Sequence, residues 1–228
     1  MKKIAIFTND SEIQLPEIHK WKNTLGKGSN IENNQYILDI LKKSNLKIPE
    51  DDINLEHDYK NKLIDFVRPA RLMFAHSFGE IRTFFDDLRK ISSIELFVVS
   101  GRYGLLKEND DIIPYHVPLK TVDDIKKLNN RTNFLKDIDD VSSGKQIIIM
   151  SFPSFYFQFF IEEGWFEKIG TNLIVYAISG NNIKSRLLNF KNITFFNRKG
   201  VVRIGKHNQE KIINVIINGN KNKEKDIL

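Results

Sequence analysis

Four short runs of apolar residues constrain the fold of this chain more than any other feature of its sequence. They cover residues 3–7, 94–99, 146–150 and 172–178, and segments with helical spacing lie between them. Uninterrupted runs of this length, rich in β-branched residues, are typical of strands buried on both faces of a sheet. Because such strands alternate with helices, the sequence predicts a single α/β domain with a mainly parallel sheet and helices on both faces.

The segments between the strands contain helices and one long irregular stretch. Helices are predicted at residues 35–43, 79–91, 155–163 and 207–217, where apolar side chains recur with helical spacing. Residues 11–33 lack a clear period and are predicted as a loop. This loop carries a basic and aromatic cluster, Lys20, Trp21 and Lys22, which is suited either to stacking on a base or to pinning the loop to the core.

The C-terminal part of the chain is predicted to hold a hairpin and a loose end. Residues 192–196 and 201–204 flank a good turn sequence, so we expect them to pair as two strands. No linker composition interrupts the chain. We therefore assign residues 1–218 to one domain and residues 219–228 to a charged tail that frays.

The composition excludes several classes of site. The chain contains no cysteine, which excludes disulfide bonds, thiolate metal sites and cysteine nucleophiles. No run of 18 apolar residues is present, so we expect no membrane span and a cytoplasmic protein. The formal net charge of +6 favours a nucleic-acid or nucleotide partner, although scattered lysines on a solvated surface give the same excess. The oligomeric state stays open.

The second apolar run ends in a glycine-flanked turn that is the sharpest local feature of the sequence. The turn reads Ser100-Gly101-Arg102-Tyr103-Gly104, and open α/β sheets bind ligands at this carboxyl edge of the strands. The two glycines permit a close backbone approach to a ligand, Arg102 is suited to clamping a phosphate, and Tyr103 to stacking on a ring. The alternative is a tight turn in which Tyr103 packs inward and Arg102 is solvated. Neither a Walker loop nor a dinucleotide fingerprint is present.

Polar residues after the other strands are candidates for the remaining walls of this ligand site. Thr8 and Asn9 follow the first run, and Ser151 follows the third. Because the carboxyl ends of parallel strands meet at one edge of a sheet, we expect these side chains to face a common ligand. Tyr156, five residues after Ser151, is suited either to that site or to the core.

The sequence offers three candidates for proton transfer, namely His76, His116 and Asp111. A hydrogen-bonded or solvated role is the alternative for each of them. The histidines lack the spacing of a zinc site, so no metal and no cofactor is predicted. A Gly-x-Ser-x-Gly nucleophile elbow is absent, which argues against hydrolase chemistry of that type.

A basic cluster lies near the predicted C-terminal hairpin. Its members are Arg198, Lys199, Arg203 and Lys206, with Phe195 and Phe196 beside them. Basic residues interleaved with aromatic rings favour contact with nucleic acid. A solvated hairpin that covers two core phenylalanines is the alternative.

Several motifs in residues 69–119 also resemble known proteins. The motifs are Pro69-Ala70-Arg71, the aromatic Phe74, the segment from Ser100 to Leu106, and Ile113-Pro114-Tyr115. Together they resemble a family of uncharacterised proteins with Pro-Ala-Arg, Leu-Tyr, Ser-Ala-Lys-Tyr-Gly-Leu-Leu and Pro-Tyr-Asp motifs in this order. The Ser-Gly-x-Tyr-Gly and Pro-Tyr motifs are also similar to those of the YaaA family of peroxide-stress proteins. That resemblance implies association with DNA and protection from oxidative damage.

The resemblance draws attention to Arg71 and Tyr115 as ligand-binding residues. We expect Arg71 to point toward the glycine-flanked turn and to supply positive charge there; an ion pair with Asp110 or Asp111 is the alternative. The chain departs from the family at Phe74, where a tyrosine is usual, and at His116, which replaces a common acid.

Three hypotheses for function follow from the sequence. The first is a nucleic-acid- or nucleotide-associated protein that acts in DNA protection or a stress response. The second is an enzyme that acts on a nucleobase or nucleotide, with a histidine or aspartate for proton transfer. The third is a defence-island or regulatory protein that binds a partner.

Overall fold

A computed structural model describes residues 2–16, 18–19, 24–25 and 27–225, with side chains described up to residue 218 except at 18–19 and 24–25. The predicted cluster of Lys20, Trp21 and Lys22 lies outside the described residues. The chain forms two compact units. The first consists of Met1–Thr8, Glu80–Leu96 and Leu135–Leu228, and the second of Asn9–Gly79 and Phe97–Phe134.

Strands and helices alternate along most of the chain. The strands are β1 (Lys3–Asn9), β2 (Ile18–His19), β3 (Thr24–Leu25), β4 (Arg68–Pro69), β5 (Ser93–Ser100), β6 (Gly104–Lys107), β7 (Asp111–Ile112), β8 (Ile147–Ser151), β9 (Ile174–Ser179) and β10 (Ile193–Asn197). The α-helices are α1 (Gln35–Lys43), α2 (Glu56–Lys62), α3 (Ala70–Met73), α4 (Phe78–Arg89), α5 (Val122–Thr132), α6 (Phe134–Ser142), α7 (Ser154–Glu162), α8 (Trp165–Lys168), α9 (Lys184–Leu187) and α10 (Lys206–Lys225). Single 3-10 turns cover Ile31–Asn33, Ile53–Leu55, Ile64–Phe66 and Asn181–Ile183.

The largest β-sheet of the described residues has six strands. Its strand order is β10-β9-β8-β1-β5-β6. Strand β8 runs parallel to both β1 and β9, and β9 runs parallel to β10. The edge strand β6 is antiparallel to β5. The prediction of an α/β fold with a mainly parallel sheet is therefore confirmed.

In the first unit, helix spacing and strand alternation bury one continuous apolar cluster. Helix α4 contributes Ile81, Phe84, Phe85 and Leu88, which share one face because they are spaced three and four residues apart. Residues of β1, β5, β8, β9 and α10 complete this cluster together with Ile204. Burial of such side chains supplies the main favourable free energy of folding.

The predicted hairpin of residues 192–196 and 201–204 is wrong. Strand β10 pairs in parallel with β9, and residues 201–204 form turns and irregular backbone. The amide groups of Arg203 and Ile204 donate to Oε2 of Glu80, at 2.8 and 3.3 Å, and Gly205 donates to Oε1 at 2.5 Å. The Glu80 carboxylate thus binds two amide groups of the segment that was predicted as the second hairpin strand.

The second unit has two smaller apolar clusters. One surrounds Phe74 and Tyr115, and the other surrounds Ile37, Leu41 and Tyr59. Backbone bridges hold its loops in place: the buried Gln14 pairs with both Ser29 and Phe74, and β4 pairs with β7. Residues 11–33, predicted as a loop, therefore include paired backbone.

Candidate functional site

The glycine-flanked turn is the tip of a β-hairpin. Ser100 pairs with Gly104, which closes a three-residue loop between β5 and β6. Gly104 has φ of +79°, and a Cβ atom there would lie 2.7 Å from Cβ of Thr132, so glycine is required. The guanidinium of Arg131 donates to the carbonyl oxygens of the first two loop residues, at 2.5 and 2.8 Å.

The backbone amide groups of the loop are also used inside the second unit. Gly101 N donates to Oδ2 of Asp10 at 2.9 Å. The amide groups of Arg102 and Tyr103 both donate to Oγ of Ser100 at 3.2 Å. A ligand at this turn would have to replace existing hydrogen bonds. The ligand-binding role of these residues stays a prediction.

Arg102 lies entirely inside the second unit, so the alternative of a solvated side chain is wrong. Its relative exposure is 0%. Nε and Nη2 donate to Oε2 of Glu56 at 3.2 and 2.9 Å, and Nη1 donates to Oδ1 of Asp52 at 2.7 Å. The backbone carbonyls of Glu50 and Asp52 accept the remaining two donors. All five guanidinium N–H groups are therefore satisfied by the chain itself.

Two tyrosines complete the surroundings of Arg102. The guanidinium carbon lies 5.4 Å from the ring centroid of Tyr59 and 5.5 Å from that of Tyr103. Tyr59 donates its hydroxyl to Asp52 at 2.7 Å, and Tyr103 donates to Glu56 at 2.9 Å. Burial and the neighbouring carboxylates raise the pKa of both tyrosines. Burial opposes ionisation of Asp52, but hydrogen bonds from Tyr59 and Arg102 outweigh it and hold its pKa below the ordinary value.

Tyr115 forms a second buried polar network. Its hydroxyl donates to Oδ2 of Asp10 at 2.6 Å and lies 2.7 Å from Oγ of Ser100. Burial and the Asp10 carboxylate raise its pKa well above the ordinary value. The Gln14 side chain bonds to both the backbone N–H and the carbonyl of Tyr115, at 3.0 and 2.8 Å. The adjoining cavity, which His116 also lines, has a volume of about 10 Å³, too small for a nucleotide.

Asp10 and Gln14 are the residues that sequence reasoning missed in this network. A signal for Asp10 existed, because it follows Thr8 and Asn9 directly at the end of the first strand. Gln14 carried no such signal. Its side chain forms a hydrogen bond with the backbone of Tyr115, which lies 101 residues later in the sequence. No local sequence pattern indicates such a contact.

The structure places the other predicted residues of the second unit on separate segments. Arg71 is half-buried in α3. His76 is exposed, with φ of +56°, in the connection before α4. Asp111 is exposed in β7, and Nδ1 of His116 lies 3.6 Å from Oε2 of Glu32. Their roles in binding or proton transfer stay predictions.

Residues predicted at the carboxyl edge are brought together in part. In the first unit Thr8 donates its hydroxyl to the carbonyl of Ser151 at 3.0 Å, and Ser151 donates to the carbonyl of Arg203 at 2.8 Å. Nη1 of Arg203 donates back to Thr8 at 2.9 Å. Tyr156 is buried. In the second unit Asn9 donates to the carbonyl of the next residue at 2.9 Å.

The basic cluster near β10 is divided between surface and interior. Lys199 and Lys206 are exposed, and Arg198 is half-buried. Burial lowers the pKa of Arg198, although Glu80 acts in the opposite direction. Arg203 is buried, with a relative exposure of 6%. Contact of this cluster with nucleic acid stays a prediction, and the exposed lysines are its accessible members.

A groove in the second unit offers more room than either network. It has a volume of about 440 Å³ and is partly open to solvent. Its lining consists of Leu15, Pro16, Lys27, Gly28, Ser29, Asn34, Phe66 and Arg68. We call it the Arg68 groove. None of its residues was among the predicted site residues.

Four separate segments build the Arg68 groove. Gly28 lies so close to Gln14 that a Cβ atom would overlap the Gln14 carbonyl oxygen. This close contact fixes the backbone of the groove wall that contains Lys27. Asn34 caps α1 by accepting from Ile37 N at 3.2 Å. Arg68 is held by the pairing of β4 with β7. The walls are therefore positioned by backbone contacts.

The lining of the groove combines positive charge, hydroxyl and amide groups, and an aromatic ring. Lys27 is exposed and Arg68 is half-buried. The Nε atom of Arg68 is buried and has no hydrogen-bond partner within the described part of the chain. Phe66 is half-buried, and its ring centroid lies 5.8 Å from that of Tyr36.

Neither a metal site, nor a membrane-spanning helix, nor a known relative is found for the described part of the chain. Among the described residues, no group of three or more histidine, aspartate and glutamate side chains is arranged to hold a metal ion. None of the described helices is long and apolar enough to cross a membrane. No family model, no curated protein and no solved structure matches the chain.

Proposed function

We propose that the chain binds nucleotides or nucleic acid through the Arg68 groove. The observation that carries the proposal is the lining of the groove, which brings the cationic residues Arg68 and Lys27 together with the aromatic Phe66. A phosphate oxygen is the acceptor that best fits a guanidinium, because it adds charge to the hydrogen bond.

The other lining residues suit the remaining parts of a nucleotide. Lys27 supplies a second positive charge, and Ser29 and Asn34 supply polar groups. The Phe66 ring offers a face for a base, and such stacking tolerates any base because each has a π-face. The volume of about 440 Å³ falls within the usual range for small-ligand sites. The formal charge of +6 assists the approach of an anionic ligand.

The glycine-flanked turn supports the groove indirectly in this proposal. Gln14 pairs through its backbone with Ser29 in the groove and through its side chain with Tyr115. Because its motifs resemble those of the YaaA family, we include a role in DNA protection or a stress response in the proposal. The three candidate proton-transfer residues do not line the groove. We therefore propose binding rather than turnover.

The proposal is tested by measuring binding of a nucleotide panel and of labelled oligonucleotides to Arg68→Ala. Because a charge-assisted hydrogen bond contributes about 1.5–3 kcal/mol, the variant should lose about 10- to 150-fold in affinity for both ligand types. Arg186→Ala is the matched control, since Arg186 is exposed and lies outside the groove. An unchanged affinity in Arg68→Ala, or an equal loss in Arg186→Ala, contradicts the proposal.

A further inference from the structure

We infer that the Arg68 groove binds single-stranded nucleic acid more tightly than a free mononucleotide, and that Tyr36 stacks on a second base just outside it. The inference rests on the proposed function and names the ligand class. Tyr36 lies in the first turn of α1, and its relative exposure is 64%. It does not line the groove itself. An aromatic surface thus continues outward from Phe66.

The angle between the two rings decides how many bases they can hold. The ring centroids of Tyr36 and Phe66 are 5.8 Å apart, and the ring planes are inclined by 56°. A planar base that lies flat on one ring cannot also lie flat on the other. If both rings are used for stacking, they take two different bases, which requires a ligand of at least two nucleotides.

The cations are placed to contact the backbone of such a ligand. Lys27 and Arg68 line the same groove as Phe66, so a phosphate near them would belong to the nucleotide whose base stacks there. Bases in a duplex cover each other's faces, whereas unpaired bases expose them to aromatic side chains. The arrangement therefore favours a single strand over a duplex.

The position of Tyr36 is fixed by the start of its helix. Asn34 caps α1 through its side chain, and Gln35 donates to Asp39 one turn later at 2.8 Å. Replacement of an exposed side chain on such a helix leaves the fold intact in most proteins. Tyr36→Ala is therefore expected to change binding without unfolding the second unit.

The experiment compares Tyr36→Ala, Tyr36→Phe and wild-type protein for binding of a mononucleotide, a ten-nucleotide DNA strand, the same sequence as RNA, and the DNA duplex. Loss of one base-stacking contact lowers affinity about 5- to 150-fold. We expect Tyr36→Ala to lose this factor for either single strand and to bind the mononucleotide as before. Tyr36→Phe should keep wild-type affinity, because the ring and not the hydroxyl makes the contact. Leu188→Ala, which removes another exposed apolar side chain, is the control.

The outcomes separate this inference from the proposed function. Equal strand binding by Tyr36→Ala and wild-type protein overturns the inference, as does tighter binding of the duplex than of either strand. The proposed function still stands if Arg68→Ala weakens binding in that case. Absence of binding to every ligand in the wild-type protein overturns both.

Discussion

Replacing Arg102 with alanine is expected to destabilise the second unit by about 3 kcal/mol. The change removes five hydrogen-bond donors from a fully buried position. Asp52 and Glu56 would each lose a charged partner, while their side chains keep exposures of 31% and 19%. A carboxylate that stays desolvated without its partner is the source of the expected loss.

The magnitude follows from what the neighbours retain. Removing one partner of a buried ion pair costs about 3–5 kcal/mol. Asp52 keeps the hydroxyl of Tyr59, and Glu56 keeps that of Tyr103, which places the loss near the lower end of that range. Arg102→Lys keeps the charge but has three donors and no planar fork, so we expect a loss of about half as much.

Urea unfolding followed by circular dichroism measures the change in the free energy of unfolding. Hydrogen exchange at the amide groups of residues 101–103 reports whether the second unit is the part that opens. Arg186→Ala, an exposed arginine, should stay within about 0.5 kcal/mol of wild type. A loss below about 1 kcal/mol for Arg102→Ala would refute the structural role given to this side chain.

Three further changes test the surrounding structure. Gly104→Ala should lower the free energy of unfolding by about 1–3 kcal/mol, because the new Cβ atom strains a positive φ and contacts Thr132. Gly144→Ala is the control and should cost little, because the space around Gly144 is open. Equal losses in the two variants would contradict this reason. Tyr115→Phe should cost about 1–3 kcal/mol in urea unfolding through its lost hydroxyl contacts, and a neutral result would contradict their importance. The folded-state pKa of Asp52 is lowered, so the stability it contributes is lost as the pH falls below about 4. In Asp52→Asn the free energy of unfolding should fall less steeply with decreasing pH. An unchanged pH profile would argue against a stabilising role for the Asp52 carboxylate.

Local patterns were sufficient to predict four of the six strands of the sheet and several helices. The apolar runs became β1, β5, β8 and β9, and the helix predicted over residues 35–43 has those same bounds as α1. These elements are set by side chains close together in sequence, where periodicity reports which face is buried. The fold class was therefore readable without tertiary information.

The environment of Arg102 was not readable in the same way. Its ionic partners, Asp52 and Glu56, precede it by 50 and 46 residues. A single charged residue gives no sign in the sequence that it is buried. Burial is tolerated only when the charge is paired, and the partners come from distant parts of the chain. Arg102 was predicted to bind a phosphate, but all five of its guanidinium N–H groups donate to acceptors of the same chain.

The Arg68 groove escaped prediction for a related reason. Its lining comes from four segments between residues 15 and 68, and none of them contains a recognisable ligand motif. The close approach of Gly28 to Gln14 brings two of these segments together. Only the folded chain shows that Arg68 and Phe66 share one groove with Lys27.

The salt dependence of single-strand binding tests the role of the groove most directly. The measurement compares wild-type protein with the double variant Lys27→Ala/Arg68→Ala, using a fluorescein-labelled ten-nucleotide strand. Each phosphate contact on a single strand contributes about 0.7 to the slope of log affinity against log salt concentration. Loss of two contacts should therefore make the slope shallower by about 1.4. An unchanged slope in the double variant, with the fold intact, would show that the strand is bound elsewhere.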